Sequence, residues 1–270
     1  MSADAAMNFD DLKSLRHKKH RDRLGFFFAE GEHLVLELGK ALSRRSDLAA
    51  ARILVSEEYL AAGLPPGFPR QLAIETLSAR QMAQLSETRS PQGVIAVVPM
   101  LTTPVPRVAE RAIYLHQIQD PGNLGTILRT LGWFGRFRCL LSPDSVEPYN
   151  PKVVRASMGA IFDVPFEIDV TLEEVQNRYS RIALLDIRGS SIAENSFKDF
   201  ECYMFGSESR GATAEMRSAC DSSVFSVPGG QGVESLNLAS TVNICAYELS
   251  RVGAVSGADT PGQNPSSARR

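Results

Sequence analysis

Short apolar segments alternate with helical patterns through the second half of this chain of 270 residues, and this alternation restricts its possible folds more than any other feature. Apolar runs predict strands at residues 112–118, 137–141, 182–187, 202–205 and 224–227. Helical spacing predicts helices at residues 123–134, 152–161, 172–179, 213–219 and 235–251. Apolar strands that alternate with helices are typical of a parallel sheet covered on both faces. We therefore predict an α/β domain at residues 108–252.

A smaller α/β unit precedes this domain. Helices are predicted at residues 9–23 and 32–42, and Ser78 with Gln81 forms a capping box for a helix that continues to Leu85. Strands are predicted at residues 26–29, 52–55, 72–75 and 93–98. Three prolines within residues 99–107 disfavour both helix and central strand. We therefore predict a first domain at residues 1–98, a linker at 99–107 and a disordered tail at 253–270, which is rich in Gly, Ser, Pro and Ala.

Glycine-rich turns follow three of the predicted strands. Their sequences are DPGNLGTILR at residues 120–129, FGSESRG at 205–211 and VPGGQGVESLNLAS at 227–240. Parallel α/β sheets bind ligands at the carboxyl ends of their strands, so we expect the three turns to form one pocket. The sequence contains neither GxGxxG nor GxxxxGK[ST]. This disfavours a P-loop and also a dinucleotide site, and with it a nucleotide-dependent oxidoreductase.

Two charged side chains belong to these turns. Arg129 follows Ile127 and Leu128, so we expect its helix to be largely buried and the guanidinium to need an anionic partner. Glu208, in the second turn, is the obvious carboxylate. Both residues also have ordinary interpretations, as a solvated helix arginine and as a glutamate at a helix start.

Polar and apolar residues mix at the start of the last predicted helix. Ser235 and Asn237 flank this start, where either could cap the helix and also contact a ligand. Leu236 and Val227 would form apolar walls. The third turn therefore has the composition of a binding site as well as that of a helix cap.

Composition excludes several classes of protein. The formal net charge of −2 argues against an overall basic surface, so any nucleic-acid binding must use a local patch. The basic run at residues 13–23 is such a patch, although it can also be interpreted as a solvated helix face.

Four separated cysteines and four histidines show no metal-ligand spacing, so we expect reduced thiols and no metal. The start of the chain does not resemble a signal peptide, and the longest apolar run, 93–98, is too short to span a bilayer. We therefore expect a cytoplasmic protein.

The three turns, in this order, resemble the signature motifs of the SpoU/TrmH family of RNA ribose 2′-O-methyltransferases, in the SPOUT superfamily. NPKVVRASMGAIF at residues 150–162 is also similar to a family segment. KKHRDRLGFFFAEGEHLVLE at residues 18–37 resembles the small RNA-binding domain of the family. One position departs from the pattern, because Gly229 follows Pro228 where the family usually has Met.

The resemblance implies a fold, a cofactor and an assembly. The parallel sheet is expected to contain a trefoil knot, a feature otherwise nearly absent from proteins. The knot forms the site for S-adenosylmethionine, and similarity places four residues around it: Leu185, Gly206, Val227 and Leu236. The family acts as homodimers that pack through the knotted domain.

The resemblance also implies catalytic roles for residues of the three turns. The catalytic residue is Arg129, which we expect to stabilise developing negative charge electrostatically, because the high pKa of arginine makes it a poor general base. Asn123 would hold Arg129 or the ribose, and Glu208 would orient Arg129. Ser235 and Asn237 would complete the hydroxyl pocket.

The expected RNA contacts are basic residues of the first domain and of the family-like segment, namely Lys18, Lys19, Arg21, Arg23 and Arg155. The resemblance favours large-subunit rRNA as the substrate. A tRNA methyltransferase and a non-catalytic RNA-binding protein that keeps the fold remain open alternatives.

Overall fold

The first domain is a four-stranded sheet with helices on its faces. The computed structural model describes residues 7–88, 90–220, 223–230 and 232–251. The strands are β1 (Phe26–Glu30), β2 (Arg52–Ser56), β3 (Ala73–Leu77) and β4 (Val94–Pro99). Their order is β1-β4-β2-β3, with β4 antiparallel to both of its neighbours and β2 parallel to β3. The helices are α1 (Phe9–Ser14), α2 (Lys18–Leu24), α3 (Glu32–Ala41), α4 (Glu57–Ala61) and α5 (Ala79–Leu85).

The second domain contains a six-stranded sheet in which every neighbouring pair is parallel. The strands are β5 (Arg111–Leu115), β6 (Phe137–Leu141), β7 (Phe166–Glu167), β8 (Ile182–Ser191), β9 (Cys202–Phe205) and β10 (Val224–Ser226). The helices are α6 (Pro121–Phe134), α7 (Pro151–Ala156), α8 (Leu172–Arg178), α9 (Ala214–Ala219) and α10 (Leu238–Ser250). Apolar residues of α6, α7 and α10 pack on one face of the sheet, and those of α8 and α9 pack on the other. The predicted parallel sheet, covered on both faces, is confirmed.

The order of the six strands, β10-β8-β9-β5-β6-β7, reverses direction beside β5. The chain proceeds outward from β5 to β6 and β7 on one side, and β9 lies against β5 on the other side. A reversal of this kind opens a crevice at the carboxyl ends of the two strands. The segments that follow Leu115 and Phe205 therefore begin at the same place, and both carry predicted site residues.

A shared core joins the two domains. The ring of Phe27 on β1 lies 4.8 Å from the ring of Tyr149, which belongs to the loop between β6 and α7. Residues 100–110 form no helix or strand, yet the hydroxyl of Tyr149 accepts a hydrogen bond from the backbone N–H of Leu101 at 3.0 Å. The connection between the domains is therefore tied down at its first residues.

Three helices differ from the prediction by more than two residues at one end or in continuity. The helix predicted at residues 9–23 is broken into α1 and α2, and the Arg21 guanidinium donates to the freed carbonyl oxygens of Leu15 and Arg16. The helix predicted at residues 152–161 ends at Ala156, because Met158 and Gly159 take positive φ angles. The last helix begins at Leu238.

Strand β7 and helix α4 were not predicted. Strand β7 has two residues and α4 has five, too few for a periodic pattern. The capping box of Ser78 and Gln81 is confirmed at the start of α5. None of the described helices is both long and apolar enough to cross a membrane. The predicted tail at residues 253–270 lies outside the described residues.

Candidate active site

The start of α6 is fixed by its own sequence. Asp120 is the N-cap, and its carboxylate accepts a hydrogen bond from the backbone N–H of Asn123 at 2.8 Å. Pro121 occupies the first helical position, where its missing N–H is no loss. Gly125 lets α7 approach closely, since a Cβ at this position would lie 2.4 Å from the Cβ of Ala156. These features hold the side chain of Asn123 at the carboxyl-end edge of the sheet.

Glu208 connects the second turn to the first. One of its carboxylate oxygens accepts hydrogen bonds from the backbone N–H groups of Gln119, at 3.4 Å, and Asp120, at 3.2 Å. The other oxygen accepts from the side-chain amide of Asn123. Glu208 sits just after Gly206, where the chain leaves no room for a side chain: a Cβ there would lie 2.2 Å from the carbonyl carbon of Gly211. The compact turn therefore aims its carboxylate at the start of α6.

Asn237 connects the third turn to the same point. Its side-chain nitrogen donates to the side-chain oxygen of Asn123 at 3.0 Å. Its own oxygen caps α10 by accepting from the backbone N–H groups of Ala239, at 2.9 Å, and Ser240, at 3.3 Å. A carboxylate only accepts hydrogen bonds, so Glu208 fixes which side of the Asn123 amide carries its oxygen. All three predicted turns thus meet in one hydrogen-bonded chain, Glu208–Asn123–Asn237.

Arg129 lies outside this chain of contacts. It is exposed, and its side chain makes no hydrogen bond or ion pair with any described residue. It follows Asn123 by six residues, which is about 9 Å along the helix axis and about 240° around it. The buried stripe of α6 contains Leu124, Ile127, Leu128 and Leu131, whereas Thr126, Arg129 and Trp133 form an exposed stripe. The prediction that Arg129 is buried is wrong, and the prediction that Glu208 orients Arg129 has no supporting contact among the described residues of this chain.

The remaining predicted residues lie near the same edge of the sheet. Leu185 is buried and pairs in register with Phe205, so it neighbours Gly206. Val227 follows β10 and packs on the core. Ser235 and Leu236 are exposed and precede the helix cap, which is Asn237 rather than Ser235.

The predicted RNA contacts divide into exposed and buried residues. Arg21 is 3% exposed, and its guanidinium binds both carboxylate oxygens of Glu147, at 3.0 and 2.5 Å. The prediction that Arg21 contacts RNA is therefore wrong, because its charge is used inside the protein. Lys18 is exposed and paired with Asp22 at 2.7 Å, and Arg23 lies 3.7 Å from Asp11. Lys19 is exposed and has no ion-pair partner among the described residues.

Arg155, on α7, is half-buried. Its guanidinium lies 3.8 Å from the carboxylate of Glu30 on β1 and makes no hydrogen bond to a described residue. Glu30 already accepts hydrogen bonds from the hydroxyl groups of Ser86 and Thr88. Arg155 therefore retains unused hydrogen-bond donors at the boundary between the domains.

Sequence reasoning missed several residues of this edge. Asp120 is the helix cap, and its signal was present, since Asp followed by Pro is typical of a helix start. Lys152, the second residue of α7, lies 3.9 Å from the carboxylate of Asp120. His116 follows β5, and burial lowers its pKa although Glu215 opposes that shift. No local pattern marks Lys152 or His116.

The cysteines lie in the core of the protein, away from the polar chain of the site. Cys139, Cys202 and Cys245 are free and buried, and burial raises the pKa of Cys139 and of Cys245 to about 12. Such thiols remain protonated and unreactive at neutral pH. The described residues contain no group of three or more His, Cys, Asp or Glu side chains able to hold a metal ion.

Two cavities of the protein lie away from the converging turns. These cavities, of about 810 and 530 Å³, lie at the opposite edge of the sheet and share Glu110, Arg136 and Phe137 in their linings. Arg111 and Phe137 begin β5 and β6, so this is the amino-end edge. No residue of the three converging turns lines either of these two cavities.

The fold and the converging turns define an α/β protein whose ligand site lies at a strand-order switch. The model of the SpoU rRNA methylase family matches residues 110–247, and that of the MRM3-like substrate binding domain matches residues 10–96. The chain belongs to the SpoU rRNA methylase family.

Three known proteins illustrate the similarity. The 23S rRNA (guanosine(2553)-2′-O)-methyltransferase RlmP of Bacillus subtilis is 27% identical, over 88% of this chain and 94% of RlmP. A solved structure from Porphyromonas gingivalis, assigned to the TrmH family of RNA methyltransferases, is 29% identical with a TM-score of 0.75, over 92% of this chain and 98% of the other. The SpoU methyltransferase AviRb of Streptomyces viridochromogenes, solved with its cofactor AdoMet, shares the fold at 21% identity and a TM-score of 0.75, over 92% and 98%.

Proposed function

We propose that this protein transfers a methyl group from S-adenosylmethionine to a ribose 2′-hydroxyl of RNA, with large-subunit rRNA as the substrate. The observation that carries the proposal is the hydrogen-bonded chain Glu208–Asn123–Asn237, which joins the three family motifs at the strand-order switch. Family membership supports the reaction, and the similarity to RlmP supports the substrate.

The residues at the carboxyl ends fit S-adenosylmethionine, the compound also called AdoMet. Large apolar side chains are exposed there, namely Ile187 (70%), Val233 (73%) and Leu236 (47%). Gly229, Gly230 and Gly232 have open space beside their Cα atoms, and Gly206 has none. Apolar walls, close backbone and a few polar groups are typical of a cofactor site. Leu185, Gly206, Val227 and Leu236 would hold the cofactor, which supplies a methyl group on an electrophilic sulfonium.

The polar chain of residues would orient the attacking hydroxyl. Asn123 and Asn237 each use one side-chain N–H within the chain, so each retains another for a ribose or phosphate oxygen. Ser235, two residues before Asn237, adds an exposed hydroxyl to the same edge. The unpaired guanidinium of Arg129 would stabilise the negative charge that develops on the 2′-oxygen.

A homodimer would explain how an exposed Arg129 reaches this chemistry. Trp133 is 84% exposed on α6, and Tyr247 and Ile244 are exposed on the neighbouring α10. An apolar face on two adjacent helices is typical of an isologous interface. We propose that two copies pack through this face, which would bring Arg129 of one subunit to the Asn123 of its partner.

The trefoil knot belongs to the same proposal. Strand β10 lies beside β8, on the side away from β9, and the chain passes so closely that a Cβ on Gly189 would lie 2.6 Å from the carbonyl oxygen of Val224. The strand order and the tight crossing support a threaded chain. The first domain would supply RNA contacts, for which Lys18, Lys19, Arg23 and Arg155 remain candidates.

The test is a map of 2′-O-methyl groups in RNA from cells with and without this gene. We expect one ribose of large-subunit rRNA to lose its methyl group, and restoration by the intact gene but not by a variant with Asn123→Ala. Loss of a tRNA methyl group instead would identify a tRNA methyltransferase. An unchanged map, together with no binding of S-adenosylmethionine by calorimetry, would favour the non-catalytic RNA-binding protein.

A further inference from the structure

Lys152 forms an ion pair with Asp120, the cap of α6, at the start of the helix that carries Asn123. Its side-chain nitrogen lies 3.9 Å from the carboxylate of Asp120, and the two side chains are 61% and 48% exposed. An exposed ion pair of this length contributes little to stability. Asp120 already caps α6, so Lys152 is not committed to a structural role.

The position of Lys152 is nevertheless fixed. The side chain of Asn150 caps α7 by accepting from the backbone N–H of Lys152 at 2.9 Å. The close approach of Gly125 and Ala156 holds α7 against α6. One turn further along α7, Arg155 faces Glu30 of the first domain. Helix α7 therefore lies between the site and the RNA-binding domain, and it places Lys152 at the site end.

The charges of the site make this lysine important. RNA is a polyanion, and a ribose that reaches Asn123 must bring its phosphates close to the carboxylates of Asp120 and Glu208. Among the described residues, Lys152 is the only one with a cationic nitrogen within 4.0 Å of either carboxylate. Arg129 lies on a different side of α6.

A second stretch of positive charge approaches from the first domain. The ion pair between Arg21 and Glu147 places α2 beside the loop after β6, and the pKa of Lys18, at the start of α2, is raised mainly by its hydrogen bond to Asp22. Glu147 itself is neutralised by Arg21. Lys152 follows Glu147 by five residues, a span of at most about 18 Å. Lys18 and Lys19, both exposed, therefore lie on the helix that docks against the loop leading to α7.

We propose that Lys152 releases Asp120 when RNA arrives and binds a backbone phosphate next to the target ribose. This inference rests on the proposed function. Lys152 is a positioning residue: it holds the nucleotide over Asn123 and takes no part in methyl transfer itself.

The test compares three variants with the wild-type protein. Lys152→Gln removes the charge, Lys152→Arg keeps it, and Lys40→Gln is the control, since Lys40 is equally exposed and paired with Glu37 on α3. The probe is large-subunit rRNA purified from cells that lack this gene. Measurements are the dissociation constant for this RNA at several salt concentrations, the KM and kcat for methyl transfer, and calorimetric binding of S-adenosylmethionine.

We expect Lys152→Gln to weaken RNA binding and raise KM roughly tenfold, as for the loss of one charge-assisted contact. The slope of log affinity against log salt should fall by about 1, because one fewer counterion is released. Lys152→Arg should retain most of the affinity, and cofactor binding should not change in any variant.

Two results would overturn the inference. In the first, Lys152→Gln matches Lys40→Gln in both salt slope and KM. In the second, Lys152→Gln lowers the melting temperature or cofactor affinity, which would assign Lys152 a structural role. Failure of the proposed function can be distinguished from failure of this inference. If the proposed function is wrong, the wild-type protein methylates no RNA, but the comparison of salt slopes still tests whether Lys152 binds a phosphate.

Discussion

Asn123 and Asn237 are 114 residues apart in the sequence and share a hydrogen bond of 3.0 Å between their side chains. This bond ties the first turn of α6 to the cap of α10. Glu208 holds the other end of the Asn123 amide, so the orientation of both amides is set by one carboxylate. The three side chains are solvated or half-exposed, and the chain therefore serves to orient groups more than to stabilise the fold.

Asn237 has two roles that substitution can separate. Asn237→Asp retains an oxygen that caps α10, but it replaces the N–H donor with a carboxylate facing the oxygen of Asn123. We expect little change in thermal unfolding and a loss of methyl transfer of at least tenfold. Asn237→Ala should lose activity and also about 1 kcal/mol of stability, because the cap is gone.

Thermal unfolding and single-turnover methyl transfer, measured on both variants, provide the check. A wild-type rate in Asn237→Asp would show that the amide donor is dispensable and that the side chain of Asn237 serves capping alone. Ser240→Ala, on the exposed face of the same helix, is the matched control and should leave both quantities unchanged.

Arg21 should behave as a structural residue and Lys19 as an RNA contact. Arg21→Met leaves the carboxylate of Glu147 buried without its partner, which costs about 3–5 kcal/mol. The double variant Arg21→Met with Glu147→Met should recover much of that loss, since it removes both charges. Denaturant unfolding measures the unfolding free energy of the single and the double variant.

Lys19→Gln should leave the unfolding free energy unchanged and weaken RNA binding.

A result in which Arg21→Met and Lys19→Gln have the same unfolding free energy would contradict this assignment. It would mean that the Arg21–Glu147 pair contributes nothing in solution. The RNA-binding role predicted for Arg21 would then be open again.

Local patterns were sufficient to predict most elements of the fold. Strand β6 was predicted at its observed bounds, and the capping box of Ser78 and Gln81 located the start of α5. These signals depend only on neighbouring residues. Strand β7 was missed because a strand of two residues has no periodicity, and it exists only through pairing with β6.

The convergence of the turns was predictable, but the contacts within the site were not. The strand-end rule placed Asn123, Glu208 and Asn237 at one edge, as observed. The burial predicted for Arg129 was inferred from adjacent residues, whereas the helical period groups Arg129 with Thr126 and Trp133 on the exposed stripe. The Arg21–Glu147 pair spans 126 residues and depends on how two domains dock, for which no local signal exists.

Stability at low pH should depend on Asp47, which ties the linker to the first domain. The hydrogen bonds from Arg45 hold the pKa of Asp47 well below its usual range. Burial opposes this shift, and the hydrogen bonds from Thr102 add to it. Because the pKa of Asp47 is lower in the folded protein than in the unfolded chain, where it is about 3.9, its carboxylate stabilises the fold at pH values above about 3.9. This stabilisation is lost as the pH falls from that value toward the pKa of the folded protein. We expect Asp47→Asn to cost about 1–2 kcal/mol at pH 7.

The difference between the wild-type protein and Asp47→Asn should shrink as the pH falls below about 4. Urea unfolding at a series of pH values measures it. A difference that stays constant over the whole series would show that the charge of Asp47 is unimportant and that only its hydrogen-bond geometry matters.

Subunit complementation tests whether Arg129 acts across a dimer interface. Arg129→Ala and Asn123→Ala should each abolish methyl transfer while retaining S-adenosylmethionine binding. When the two variants are unfolded, mixed in equal amounts and refolded, about a quarter of wild-type activity should return, because half of the dimers are mixed and each has one intact site of two. Trp133→Arg, added to both variants, should prevent this rescue, since Trp133 lies on the same exposed stripe as Arg129.

The mixture could also show no rescue although light scattering detects dimers. This result would place Arg129 and Asn123 in the site of the same subunit, and Arg129 would then have to act on the RNA from its own side of α6. Activity retained by Arg129→Ala alone would remove it from the reaction altogether.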